Sequence, residues 1–265
     1  MRPFVYHKPK SIEEAVALLA SDAEGQPLAG GMSLLPAIKQ RLASPAALID
    51  LSAIVALKGI TADAGALTVG AMTKHFDVAS SPLVTKALPA LAYLAGGIGD
   101  PAVRNRGTIG GSLAHSDPVA DYPAAALALG ATIVTDKRAI PADQFFRGLF
   151  ETALEPGELI TAVKFPIPLA AGYAKAPNLA SRFALVGVFV AKFASGARVA
   201  VTGAGPVFRL PALESALSQL FEPDAVDGHG VDPARLSSDI HAEAAFRAHL
   251  ITVMGKRAVA AALAV

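Results

Sequence analysis

The stretch Thr108-Ile109-Gly110-Gly111-Ser112 closes a glycine-rich region, Gly96 to Gly111, that is too irregular for one regular element. A second glycine pair stands far upstream, in Ala29-Gly30-Gly31-Met32-Ser33, where the apolar run Pro27-Leu28-Ala29 meets a predicted helix start. Glycine permits close approach of the backbone to a ligand and a positive φ. Successive backbone N–H groups around such a pair form a concave anion site, helped by the start of a helix. Ser33, Thr108 and Ser112 can each add a side-chain donor. Two such loops in one chain suit a diphosphate with two anionic groups. Either pair alone reads more readily as an ordinary tight turn.

Working outward, Ser11 and Glu14 form a capping box for a helix with Ala15, Leu18 and Leu19 on its apolar stripe. Ser33 is placed to cap a helix carrying Leu34, Leu35, Ile38 and Leu42, and Leu48-Ile49-Asp50 reads as the end of a short strand. Leu57 to Ile60 and Leu67 to Ala71 read as a hairpin around Asp63 and Gly65. Helical patterns cover Thr73 to Ala79, Leu83 to Ala95 and Asp121 to Leu129, and strands cover Ala131 to Thr135 and Leu159 to Phe165. Prolines and a glycine cluster at Pro166 to Gly172, which predicts a boundary. Beyond it, Ser181 to Phe193 and Arg198 to Thr202 read as paired strands, followed by helices over Pro211 to Phe221 and Asp239 to Ala262. Phe246, Leu250 and Val253 share one face of the last helix. Strands and helices interleave without regular alternation, so the predicted class is α+β.

Composition narrows the function. The 265 residues are 53% hydrophobic, with much of the excess in alanine, which predicts a sizeable folded core. Lys and Arg total 23 against 22 Asp and Glu, so no charge excess asks for nucleic acid or an anionic membrane. No cysteine is present, which excludes disulfides and a cysteine-ligated iron–sulfur cluster on this chain. No secretory signal or membrane-spanning run is read, and the expected setting is soluble and cytoplasmic. There is no Walker motif, no G-x-S-x-G elbow and no zinc signature among His7, His75, His115, His229, His241 and His249. Gly203-Ala204-Gly205-Pro206 lacks the third glycine of a dinucleotide fingerprint and reads as a strand-end turn.

Val103-Arg-Asn-Arg-Gly-Thr-Ile-Gly-Gly-Ser-Leu-Ala-His-Ser-Asp-Pro-Val-Ala-Asp121 closely resembles the second flavin motif of the FAD-binding medium subunits of carbon monoxide dehydrogenase and related molybdenum hydroxylases. Ala29-Gly-Gly-Met-Ser-Leu-Leu-Pro36 resembles their first motif. The resemblance continues through Val69-Gly-Ala-Met-Thr73, Pro156-Gly-Glu-Leu-Ile160, Ala180-Ser-Arg-Phe-Ala-Leu-Val-Gly187 and Ser238-Asp-Ile-His241, and so spans nearly the whole chain. Met32 stands where His or Gln is common in the family, and Ser112 where Asp or Asn also occurs.

The resemblance implies a PCMH-type FAD-binding domain over residues 1–168, with subdomains at about 1–55 and 56–168, then a smaller α+β domain over 169–265. It implies that Leu28, Ala29, Gly30, Gly31, Met32, Ser33 and Leu34 wrap the FAD pyrophosphate, and that Thr108, Ile109, Gly110, Gly111 and Ser112 complete the grip. It implies flavin contacts for Ile98 and Ile160, a cofactor hydrogen bond for Asp121, and places for Lys175 near the ring and Tyr173 over a ring face. Arg104 and Arg106 are expected either to pair with a carboxylate or to compensate charge near the reduced flavin or at a subunit contact. The implied role is relay. A large molybdenum–molybdopterin subunit oxidises the substrate, two [2Fe–2S] clusters in a small subunit carry the electrons, and the FAD chain passes them to NAD, a quinone or another acceptor. The implied assembly is a heterotrimer, doubled to (LMS)₂. The alternatives are a stand-alone FAD oxidoreductase of the same fold and a flavin-free assembly subunit.

Overall fold

A computed structural model describes residues 2–63 and 65–264. The first unit is β1 (Val5–His7), α1 (Ile12–Ser21), β2 (Gly25–Leu28), α2 (Leu34–Lys39) and β3 (Ala47–Asp50). Its three strands are parallel, in the order β1-β3-β2, which puts Leu28 opposite Asp50 and ends β2 at the first glycine pair. The predicted cap of α1 forms: Glu14 N donates to Ser11 Oγ at 3.1 Å, and the Glu14 carboxylate reaches back to Lys10 N.

The second unit opens with β4 (Ile60–Asp63) and β5 (Ala66–Gly70). The hairpin is therefore shifted from the sequence reading, because Val55–Leu57 forms a 3₁₀ turn that buries Leu57. Six short helices follow: α3 (His75–Ser80), α4 (Pro82–Ala87), α5 (Pro89–Gly96), α6 (Pro101–Arg104), α7 (Ile109–His115) and α8 (Tyr122–Ala128). The single helix predicted over Leu83 to Ala95 breaks at Leu88, whose φ of -152° and ψ of 65° are not helical. Pro89 explains the break, since proline disfavours the α region for the residue before it. Then come β6 (Thr132–Thr135), β7 (Ala139–Pro141), α9 (Ala142–Phe145), β8 (Phe146–Gly148), β9 (Glu151–Thr152) and β10 (Ile160–Pro166). The resulting sheet is antiparallel, ordered β4-β5-β10-β6-β7, and only the pairing of β10 with both β5 and β6 closes it.

The last unit contains β11 (Ala170–Pro177), β12 (Ala184–Phe193), β13 (Gly196–Thr202), β14 (Phe208–Arg209), α10 (Pro211–Gln219) and α11 (Ala244–Leu263). Its four strands form an antiparallel sheet in chain order. β12 reads as an almost unbroken apolar run because both of its faces are buried. Val186, Val188 and Val190 face the core under α10 and α11, while Phe189 and Ala191 join the core around α5 and α8. α11 buries Arg247, Ile251, Met254, Ala258 and Val259; Phe246, expected with Leu250 and Val253 on the apolar face, is half exposed. The class is α+β, as read from the sequence. Among the described residues, no helix is long and apolar enough to cross a membrane.

Candidate functional site: a cleft between two glycine segments

The two glycine segments meet in space. A Cβ on Gly30 would collide with the carbonyl oxygen of Arg106 and lie 2.7 Å from Gly107 Cα. A Cβ on Gly111 would lie 3.3 Å from that of Ala29. Glycine at positions 30 and 111 is what lets the two backbones approach. Gly31 is needed for a different reason. Its φ of 73° turns the chain from β2 into α2, a conformation that disfavours any Cβ.

The second segment is not a loop. Thr108 is the N-cap of α7, its Oγ1 accepts from Gly111 N, and the glycine pair lies in the first helical turn. Its N–H groups are already committed: Ile109 N donates to Thr73 O, Gly110 N to Ala71 O at 2.8 Å, and Ser112 N to Thr108 O. The expectation that both glycine pairs present free N–H groups is corrected here. The first pair does present them. Among the described residues, the backbone N–H groups of Gly30, Gly31, Met32 and Ser33 donate to no protein acceptor. Ser33 sits at the N-cap of α2 but makes no cap bond, so its hydroxyl also stays free.

These segments wall a cavity of about 790 Å³. That is within the range of about 300–1,000 Å³ common for small-molecule and cofactor sites. Ala29, Gly30, Gly31, Met32, Ser33, Leu34, Ile98, Thr108, Gly110, Gly111, Ser112, Asp121 and Ile160 line it. Four other expected residues do not. Leu28 and Ile109 are buried in the core behind it, and Tyr173 and Lys175 stand behind Asp121. Tyr173 is 3% exposed, packs its ring on Phe189 and donates its hydroxyl to Asp121, so it does not cover a ring in the cavity.

Asp121 is a nearly buried acidic residue of the cavity wall. It is 3% exposed, and burial pushes its carboxyl up from the usual range, opposed by the ammonium of Lys175 and the hydroxyl of Tyr173. Lys175 also donates to Gly97 O, and Arg104 donates to Ile98 O and Gly99 O. Two cations thus hold the carbonyls of the Gly97–Gly99 turn and aim Ile98 into the cavity. The Arg–carboxylate pair expected for Arg104 is replaced by these carbonyl contacts. Arg106 is exposed.

A third wall falls on the Pro156–Ile160 motif, of which the sequence reading gave only Ile160 a contact. Glu158 accepts from Arg138 Nε and Nη2, both at 2.9 Å, from Thr135 Oγ1, and from Glu155 N. Those bonds, Arg138 first, hold its carboxyl down to about 2 and fix the Glu155–Gly157 turn against the cavity, ahead of Ile160. His75, Arg182 and Phe183 also line the cavity. His75 carried no motif in sequence, since only the contact between α3 and the second segment brings it there.

Residues 2–168 match the family described as the FAD binding domain in molybdopterin dehydrogenase. The chain belongs to that family. The relatives extend past the matched region. The carbon monoxide dehydrogenase medium chain of Hydrogenophaga pseudoflava is 38% identical, over 98% of this chain and 97% of its own. The nicotine 6-hydroxylase medium subunit of Paenarthrobacter nicotinovorans is 35% identical over 96% of this chain and 95% of its own. The reconstituted CO dehydrogenase from Oligotropha carboxidovorans superposes with a TM-score of 0.92 at 33% identity, covering 99% of this chain and 98% of that one.

The residues present fit FAD. A diphosphate needs donors where the chain comes closest, and the free N–H groups from Gly30 to Ser33 provide them with the Ser33 and Ser112 hydroxyls alongside. An uncharged ring system needs an apolar berth, which Ile98, Leu159 and Ile160 provide.

Proposed function

We propose that this chain is the FAD-carrying electron-transfer subunit of a molybdenum hydroxylase. The observation that carries it is the row of free backbone donors from Gly30 to Ser33, beside Gly111 in the wall of a cavity of about 790 Å³. Family membership supports the same reading. When bound, FAD supplies a carrier that takes up electrons singly or in pairs.

The chain's own residues bind and orient. Gly30, Gly31, Met32 and Ser33 hold the diphosphate through N–H groups, and Gly111 keeps the adjoining wall low enough to admit it. Asp121, fixed by Lys175 and Tyr173, accepts a hydrogen bond from the cofactor. Ile98 and Ile160 exclude water from the ring berth. Residues 1–168 form the binding domain, and 169–265 form a second domain that supplies Lys175, Arg182 and Phe183 to its edge. Electron relay needs no nucleophile or acid–base pair on this chain. The chain carries no cysteine, so electrons reach it from a docked small subunit holding two [2Fe–2S] clusters. A large subunit with the molybdenum–molybdopterin group oxidises the substrate, in an (LMS)₂ assembly. NAD, a quinone or another acceptor takes the electrons in turn.

The purified chain is expected to carry FAD that acid precipitation releases intact. Dithionite should bleach it, whereas aldehydes, purines, N-heterocycles and carbon monoxide should not until the two partner subunits are added. Colourless protein that fails to take up added FAD overturns the cofactor assignment. Substrate turnover by the lone chain overturns the relay in favour of a stand-alone oxidoreductase.

A further inference from the structure

Two buried polar atoms have no hydrogen-bond partner among the described residues: Nδ1 of His75 and the hydroxyl of Tyr122. They belong to neighbouring rings, whose centroids lie 5.4 Å apart at an interplanar angle of 47°. His75 is 5% exposed and Tyr122 fully buried, so solvent does not satisfy either atom. A buried polar group without a partner opposes folding, so each of these two atoms calls for one.

His75 is in that wall, while Tyr122 stands behind it. Its position is set tightly. His75 N donates to Gly107 O at 3.0 Å, and Ile109 N donates to Thr73 O, so α3 is stitched to the segment before α7. A Cβ on Gly107 would fall 2.5 Å from His75 Nε2, so glycine there leaves the imidazole its place. Gly107 also abuts Gly30, so this edge of the ring lies against the residue at which the two glycine segments meet.

The chemistry of the pair follows from burial. Desolvation, and then the Arg104 guanidinium, lower the imidazole to about 4, so it is neutral near pH 7, with one nitrogen a donor and the other an acceptor. Burial, with the Asp121 carboxylate beside it, pushes the Tyr122 hydroxyl up, and it stays protonated as a donor. A phenol that donates to Nδ1 selects the tautomer that carries its hydrogen on Nε2, and the neighbouring rings bring the two groups near enough for a rotation to join them.

We propose that His75 is a further dinucleotide-binding residue. Tyr122 donates to Nδ1 after a small rotation of the imidazole, and Nε2–H donates to an oxygen of the bound cofactor where the glycine segments meet. This rests on the FAD reading above. Satisfying all three atoms at once couples cofactor binding to the α3–α7 contact.

The test is FAD titration of the full chain followed by flavin fluorescence, with imidazole ¹⁵N shifts of the wild-type complex read by NMR. His75→Leu should weaken FAD at least about tenfold, the scale of one well-placed hydrogen bond. Tyr122→Phe should weaken it less, and the double variant no more than His75→Leu alone. The NMR spectrum should report the Nε2–H tautomer, which needs no variant to fold. Wild-type affinity in His75→Leu, or the Nδ1–H tautomer in the complex, overturns the proposal and leaves the cofactor assignment standing. A wild-type chain that binds no FAD overturns both.

Discussion

Lys175 Nζ stands 2.9 Å from Oδ1 of Asp121, and both side chains are nearly excluded from solvent. The pair joins β11 to the start of α8, two elements from different halves of the chain. It does two things at once. It opposes the burial that pushes the Asp121 carboxyl up, and it ties Asp121 to the Gly97 turn that aims Ile98.

Removing one partner should therefore cost more than removing both. Lys175→Met leaves a buried carboxylate without its cation, which costs about 3–5 kcal/mol. Its carboxyl is then held still higher than in the wild type. A raised folded pKa gives stability that is full below the unfolded value and lost as pH rises. The deficit of Lys175→Met should thus be largest near neutrality and shrink below about pH 4. Adding Asp121→Asn should restore part of the loss at pH 7. Urea unfolding of the single and double variants across pH measures this, and a pH-independent deficit would falsify the pairing argument.

Glu158 predicts the opposite sign. Its carboxyl is held down to about 2, chiefly by Arg138, so its stabilisation is full above the ordinary glutamate range and is lost as pH falls from about 4.5 toward 2. Glu158→Gln should destabilise the chain by about 1.5–3 kcal/mol at pH 7, the scale of hydrogen bonds to a charged group. The gap to the wild type should close in acid. A gap of equal size at pH 7 and pH 3 would place the effect in packing.

Adjacent glycines should fail in different ways. A Cβ on Gly110 meets Ala71 Cβ at 2.6 Å and Ala71 O at 2.8 Å, so Gly110→Ala should lower Tm with or without FAD. A Cβ on Gly111 meets only Thr108 Oγ1 at 3.0 Å and Ala29 at 3.3 Å, on the cavity side. Gly111→Val should fold and yet bind FAD at least about tenfold more weakly, because its methyl groups enter the cradle. Thermal melts of the apo chain alongside FAD titrations separate the two. Equal Tm losses in both variants would mean that position 111 also serves packing alone.

Much of the site was legible because its parts are local. A glycine pair after a short apolar run and before a helix is one contiguous pattern, and Ala29 to Leu34 do line the cavity. Thr108 as an N-cap was not read, because the glycine pair behind it argues for a loop, although capping is decided within four residues. The break at Leu88 was equally local, written in Pro89, though a periodicity reading runs across it.

What sequence by itself determined, then, was composition and short-range geometry: an α+β chain, two close-approach points at Gly30 and Gly111, and a Gly31 turn only glycine makes easily. Tertiary structure decided the rest. It committed the N–H groups of the second glycine pair to Thr73, Ala71 and Thr108, and left those of the first pair free. It turned Tyr173 away from the cavity to serve Asp121, and it brought His75 and Glu158 into or behind the walls. Hydrogen-bond satisfaction is the physical reason. Each donor takes whichever acceptor the packed elements bring within about 3 Å, and partners 52 residues apart, as Tyr173 and Asp121 are, carry no trace of one another in a local pattern.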